Sequence, residues 1–269
     1  MPTTLDGINL RYTDMGEGLP LVFIHGFPLS RGVWQKQIEA LQSSYRVIAP
    51  DLRGLGESET QPGLTTMEQY AADLGALFQQ LTTRPVVLIG HSMGGYVALA
   101  FARQFPEMLS GLVLVGTKAG ADTADAAAGR RATAEKVKSE GVRVVIDAMA
   151  PKMLAADNRD TRQAEQVLGF MAPSKAEGVI GALLGMAERP DSTASLEQIA
   201  VPTLVITGAE DTLIPPAESE KLAAAIPMAQ LSVIPHAGHL VAFEQSDAFN
   251  FVLKNWLIKS DLASPVEIN

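Results

Sequence analysis

No cysteine occurs among the 269 residues of the chain. Disulfide frameworks, thiolate metal sites and cysteine nucleophiles are therefore excluded. Positive charge is in deficit, with 21 Lys and Arg against 30 Asp and Glu, a net charge of −9 and a pI of about 5.0. Such a balance argues against nucleic acid or an anionic membrane as partner. No apolar run approaches the roughly 18 residues of a membrane span. The first residues, MPTTLDGINLRY, lack a basic stretch followed by an apolar one, so no signal peptide is expected and the expected location is cytoplasmic. What is present is 47% apolar and 19% charged residues, the profile of a globular protein large enough for one domain with an insertion.

Apolar residues come in short runs. Segments 20–26, 45–51, 85–91, 111–116, 202–208 and 230–235 are rich in Val, Ile and Leu and end at Gly, Pro, Asp or His. They read as strands buried on both faces of a mostly parallel sheet. The Asp-Gly in TTLDGINLRYTDMG signals an N-terminal hairpin. SRGVWQKQIEALQ, with Ser30 as its cap, TMEQYAADLGALFQQL and DAFNFVLKNWL have helical periodicity. The alternation predicts an open α/β sheet flanked by helices. It breaks between residues 118 and 195, an Ala-rich stretch punctuated by Pro151, Pro173 and Pro190. Three to four short helices are expected there, one carrying Val179, Leu183 and Met186 on a face, as a lid over the strands' carboxyl ends. The expected division is a core of 1–117 and 196–269 with a helical cap at 118–195.

Within VVLIGHSMGGYVALAF lies Gly90-His91-Ser92-Met93-Gly94, a G-x-S-x-G between a predicted strand and a predicted helix. That context is what a nucleophile elbow requires; the alternative is a glycine-rich turn whose serine caps a helix. A serine hydroxyl needs a base. Of the four histidines, His91 adjoins Ser92 and is expected to brace the turn, and His25 to shape a loop. His236 and His239 remain. A metal pair is disfavoured because Pro235 and Gly238 make their segment a loop. The base needs an orienting carboxylate, and Asp211 follows the strand ending at Gly208, with Glu210 as runner-up. The tetrahedral oxyanion needs two donors: the Met93 N–H and, after the first long strand, that of Phe27, since Pro28 has none.

HGFP at 25–28, DLRGLGES at 51–58, GHSMGG at 90–95, GAEDTLIPP at 208–216 and HAGHL at 236–240 resemble segments of the α/β-hydrolase fold, in the order nucleophile, acid, histidine. The chain is most similar to bacterial carboxylesterases, cofactor-free perhydrolases (non-haem haloperoxidases) and enol-lactone hydrolases. The resemblance makes His239, in Gly-His after the last strand, the base of a Ser92–His239–Asp211 triad, and makes the Asp51 and Arg53 loop structural. Ser92 where haloalkane dehalogenases and epoxide hydrolases carry aspartate argues against those activities.

The expectation is a serine esterase for small to medium, largely apolar esters, needing no metal or organic cofactor. Enol-lactone hydrolysis or peracid formation on the same triad, a C–C bond hydrolase and a non-enzymatic ligand receptor are the alternatives. Pro28, Leu29, Leu213 and Leu240 are candidate substrate contacts, beside Phe27 and Met93. Met149, Met153, Met171 and Met186 are either pocket lining or lid packing. Arg31 is either a contact to an acidic substrate or a solvated helix-start residue, and Trp34 is expected in the core.

Overall fold

The computed structural model describes residues 3–5, 7–82, 84–159 and 161–262. An N-terminal hairpin pairs β1 (Thr3–Leu5) with β2 (Ile8–Leu10) in antiparallel register, Thr3 opposite Leu10. Asp6 of its turn lies outside the described residues. The chain then enters a seven-stranded sheet through β3 (Tyr12–Met15), followed by β4 (Pro20–Ile24), β5 (Arg46–Pro50), β6 (Val86–His91), β7 (Leu109–Val115), β8 (Thr203–Gly208) and β9 (Ala229–Ile234). The order is β3-β5-β4-β6-β7-β8-β9, and only the β3–β5 pair is antiparallel.

All six runs expected as strands form strands. One differs in burial. β9 ends the sheet, and Leu231 and Val233, two residues apart and so on one face, are 39% and 44% exposed. β4 and β6, by contrast, are buried along their whole length. The order reverses between them: β4 continues to β5 on one side, while β6 continues to β7 on the other. The carboxyl ends of β4 and β6 therefore open onto a crevice not crossed by a connection, where open α/β sheets bind ligands.

Helices cover both faces. Those before β7 are α1 (Gln35–Leu41), α2 (Met67–Leu81) and α3 (Met93–Gln104). α2 is capped as its sequence suggests, the Thr66 hydroxyl accepting from the Gln69 N–H at 3.0 Å. Ser30 makes no such bond; a 3-10 turn over Arg31–Trp34 separates it from α1. Trp34 is buried against Phe23, ring centroids 5.1 Å apart.

Between β7 and β8 the chain is helical: α4 (Ala124–Glu140), α5 (Arg143–Met149), α6 (Arg162–Met171) and α7 (Ala176–Glu188). α4, at 17 residues, is longer than the short helices expected; its Ala-rich start has high helix propensity and Thr123 caps it, accepting from the Ala126 N–H. Val179, Leu183 and Met186 are buried on α7. After β8 follow α8 (Pro216–Ala225), α9 (Val241–Glu244) and α10 (Ser246–Lys259). Among the described residues no single helix is long and apolar enough to cross a membrane.

Candidate active site

Ser92 sits between β6 and α3 with φ 53° and ψ −115°, a backbone conformation that L-residues avoid. The turn is pinned from three sides. Ser92 N–H donates to the Val115 carbonyl at 2.9 Å, and its own carbonyl accepts from the Gly95 N–H at 2.9 Å and the Thr117 hydroxyl at 2.8 Å. The glycines of the motif are steric necessities. A Cβ on Gly90 would lie 2.3 Å from the Gly94 carbonyl oxygen, and one on Gly94 would lie 2.5 Å from that of Ile24. Strand, turn and helix thus pack with no room for side chains, and Ser92 is left at the crevice.

His239 arrives on the loop between β9 and α9, and Asp211 on the loop after β8. The His239 Nδ1–H donates to Asp211 Oδ2 at 2.8 Å. Asp211 is itself oriented, its Oδ1 accepting from the Leu213 and Ile214 N–H groups, both at 2.9 Å. Both side chains are at most 2% exposed. The two histidines that sequence left adjacent separate cleanly. The His236 side chain is 82% exposed, with Nδ1 4.0 Å from Glu210; Glu210 faces it and not His239.

His91 does not brace its own turn. Its Nε2–H donates to the His239 carbonyl at 2.9 Å, reaching across to the other loop. Burial, and then the neighbouring His239, hold its pKa well below that of a free imidazole. His25 is also buried; its Nδ1–H donates to the Gly26 carbonyl and its Nε2 accepts from the Leu52 N–H at 3.0 Å, fixing the loop after β4. That loop turns through a cis Phe27–Pro28 peptide, and a Cβ on Gly26 would lie 3.0 Å from that of Ser92. Met93 is the first residue of α3, where an N–H has no partner within the helix.

A cavity of about 210 Å³ is lined by Phe27, Ser92, Tyr96, Lys118, Arg130, Met149, Met186, Leu213, Ile214 and His239. Ser92 and His239 thus share one cavity. Of the candidate contacts, Phe27 and Leu213 line it. Pro28, Leu29, Leu240 and the Met93 side chain do not. Leu29 and Leu240 pack in the core cluster that includes Trp34 and Phe249, and Met93 packs in the opposite one; chain neighbours of a site residue point to other faces. Met149 and Met186 line the cavity, while Met153 and Met171 are fully buried in packing. Arg31 does not line the cavity; partly exposed, it pairs with the buried Asp51 and with Glu57 at 2.5 Å. Arg53 forms a two-pronged ion pair with Asp73.

The model of the alpha/beta hydrolase fold family matches residues 20–246. The chain belongs to the α/β-hydrolase family. Among solved structures it is similar to a thermophilic esterase from Thermogutta terrifontis, studied with malate bound, at 43% identity and a TM-score of 0.92, covering 96% of this chain and 97% of that one. Among curated relatives it is 32% identical to the non-heme chloroperoxidase CPO-A1 of Kitasatospora aureofaciens, over 93% of this chain and 95% of that protein. It is 29% identical to 3-oxoadipate enol-lactonase 2 of Acinetobacter baylyi, over 93% and 94%.

Three features of this α/β-hydrolase site carry no local sequence signal. Lys118 and Arg130 are brought to the cavity by the β7 loop and α4. Tyr96, one turn into α3, lines it beneath the Arg189 guanidinium, 4.0 Å from the ring centroid. Glu244 is buried behind the His239 loop, where Oε1 accepts from the Gly238 N–H at 2.8 Å, and Oε2 from the Ala155 N–H at 2.7 Å and Asn158 Nδ2 at 2.8 Å. Burial raises its pKa against these three donors.

Proposed function

We propose that this protein is a serine hydrolase of carboxylic esters, with Ser92 as nucleophile, His239 as base and Asp211 as the carboxylate that orients it. The observation that carries the reading is the His239 Nδ1–H···Asp211 bond of 2.8 Å, beside a cavity that Ser92 also lines. With Nδ1 committed to Asp211, Nε2 is the lone-pair nitrogen left to take a proton. Ser92 Oγ attacks the ester carbonyl as its proton passes to His239 Nε2. The N–H groups of Phe27 and Met93 bind the oxyanion. His239 then protonates the departing alkoxide, leaving an acyl-serine and a free alcohol. Water repeats the sequence: its proton goes to His239, its oxygen to the acyl carbon, and Ser92 leaves with the proton as the acid departs.

The segment 118–195 acts as a cap over this site, a role supported by its contribution of Lys118, Arg130, Met149 and Met186 to the cavity. A lactone is a cyclic ester and runs the same steps with its alcohol tethered, in keeping with the enol-lactonase likeness. Hydrogen peroxide in place of water would give a peracid, in keeping with the chloroperoxidase likeness.

The test is turnover of 4-nitrophenyl butyrate and labelling by a serine-directed fluorophosphonate. Multiple turnover that falls by at least about three powers of ten in Ser92→Ala, with labelling lost, is expected. A folded wild-type protein that neither turns over nor labels overturns the reading and leaves a ligand-binding role.

A further inference from the structure

The cavity has an unexpected electrostatic character. The chain carries a net charge of −9, yet among the described residues the Lys, Arg, Asp and Glu side chains lining the cavity are Lys118 and Arg130 alone. Both cations pair with the Asp122 carboxylate, whose side chain is 2% exposed. It is shared by three cations. Arg130 Nε donates to Oδ2 at 2.5 Å, Arg189 Nη1 to Oδ1 at 2.8 Å, and Lys118 Nζ lies 3.6 Å from Oδ1. Burial works against the carboxylate's charge, but the Arg130 and Arg189 hydrogen bonds outweigh it and bring its pKa down to about 2. One permanent anion thus faces three cations.

The donors of the two lining residues are also largely unspent. Among the described residues, the hydrogen bond of Arg130 runs through Nε alone. Its two terminal nitrogens, a planar fork suited to a carboxylate, are left over. Among the same residues, Lys118 is held by the longer ion pair alone. Their side chains are 26% and 28% exposed. The pair is held in place from behind while its free N–H groups remain for a partner in front. The lining also holds the apolar side chains of Phe27, Met149, Met186, Leu213 and Ile214.

We infer that Lys118 and Arg130 form a subsite for a second carboxylate, and that the preferred substrate is a small ester or lactone bearing a free carboxylate on a short apolar chain. The inference rests on the esterase reading for its reaction. The volume of about 210 Å³, below the ~300–1,000 Å³ of pockets for drug-sized ligands, limits the spacer to a few carbons.

The test compares monomethyl glutarate with methyl 5-methylhexanoate, in which an isopropyl group replaces the carboxylate, each followed in a pH-stat. The ratio of their kcat/KM values should favour the acid at least about tenfold. It should shrink toward unity in Lys118→Gln and in Arg130→Gln, mainly through KM for the acid. If those variants fail to fold, wild type alone decides. Sodium chloride should reduce the ratio, and glutarate should compete with 4-nitrophenyl butyrate where glutaramide does not. A wild-type ratio at or below one, or equal inhibition by glutarate and glutaramide, overturns the subsite and leaves the esterase reading standing. Should no ester be turned over, titration calorimetry of glutarate into Ser92→Ala reads the subsite alone; absence of heat there overturns it.

Discussion

The His91 side chain hydrogen-bonds the main-chain carbonyl of His239 at 2.9 Å, and the two rings lie 4.7 Å apart between centroids. The residue preceding Ser92 therefore holds the loop that delivers the proposed base. Nucleophile and base are thereby registered to each other through one side chain and one main-chain carbonyl, apart from any contact between their own side chains.

The histidines should differ sharply in consequence. His239→Ala is expected to lower kcat for 4-nitrophenyl butyrate by several powers of ten, and Asp211→Asn by roughly 10³–10⁴. His236→Ala, whose side chain is 82% exposed, should stay within about twofold of wild type. Steady-state kinetics on the three variants measures this, and the reverse ranking of the two histidines would overturn the assignment.

Stability should fall on mild acidification. His25 and His91 are both buried, and burial lowers the pKa of each. A histidine depressed in the folded chain contributes stability above its unfolded pKa of ~6.5, and that stability is lost as pH falls through and below that value. The limiting slope is about 1.4 kcal/mol per pH unit for each such histidine. Urea midpoints at pH 8 and pH 5.5 should show the drop. His91→Gln should be less stable at pH 8 but lose less between the two pH values; an unchanged pH dependence would show that His91 does not stay neutral.

Glu244 ties three donors from two segments, Ala155 and Asn158 on one side and Gly238 on the other. Glu244→Ala leaves those groups without their acceptor and should cost about 2–4 kcal/mol. Glu244→Gln should be intermediate, since its amide turns a donor toward one of them. Thermal melts give the stability. Because Gly238 precedes His239, kcat should drop further than KM changes, whereas a purely structural role would leave kcat intact at temperatures where the variant is folded.

Strands buried on both faces announced themselves as unbroken Val, Ile and Leu runs, since neither side has to meet water. β9 carried the same signal, with Leu231 and Val233, yet stands at the sheet edge half exposed; a short apolar run does not encode how many neighbours it will have. That Ser92 and Asp211 come to one site was legible because each follows a strand end marked by Gly; His239 was set apart from His236, which follows the same strand, by the family resemblance alone. Lys118, Arg130 and Tyr96 were not, because a cavity wall is made by convergence of distant segments and needs no local motif. Leu29 and Leu240 failed as pocket residues for the same reason in reverse: nearness along the chain says nothing of the face a side chain takes. Glu244 left no trace, since an acidic residue at the end of a short helix looks like any solvated one until its three partners are in place.

The backbone at Ser92, with φ 53°, has a consequence for how such a chain responds to selection. Glycine enters that conformation without the Cβ clash that an L-residue suffers. Ser92→Gly should therefore be the more stable protein, by about 1 kcal/mol and roughly 2–4 °C in Tm, while lacking the proposed nucleophile. A screen of variants for heat resistance alone would favour a chain that folds better and, on the proposed mechanism, no longer turns over.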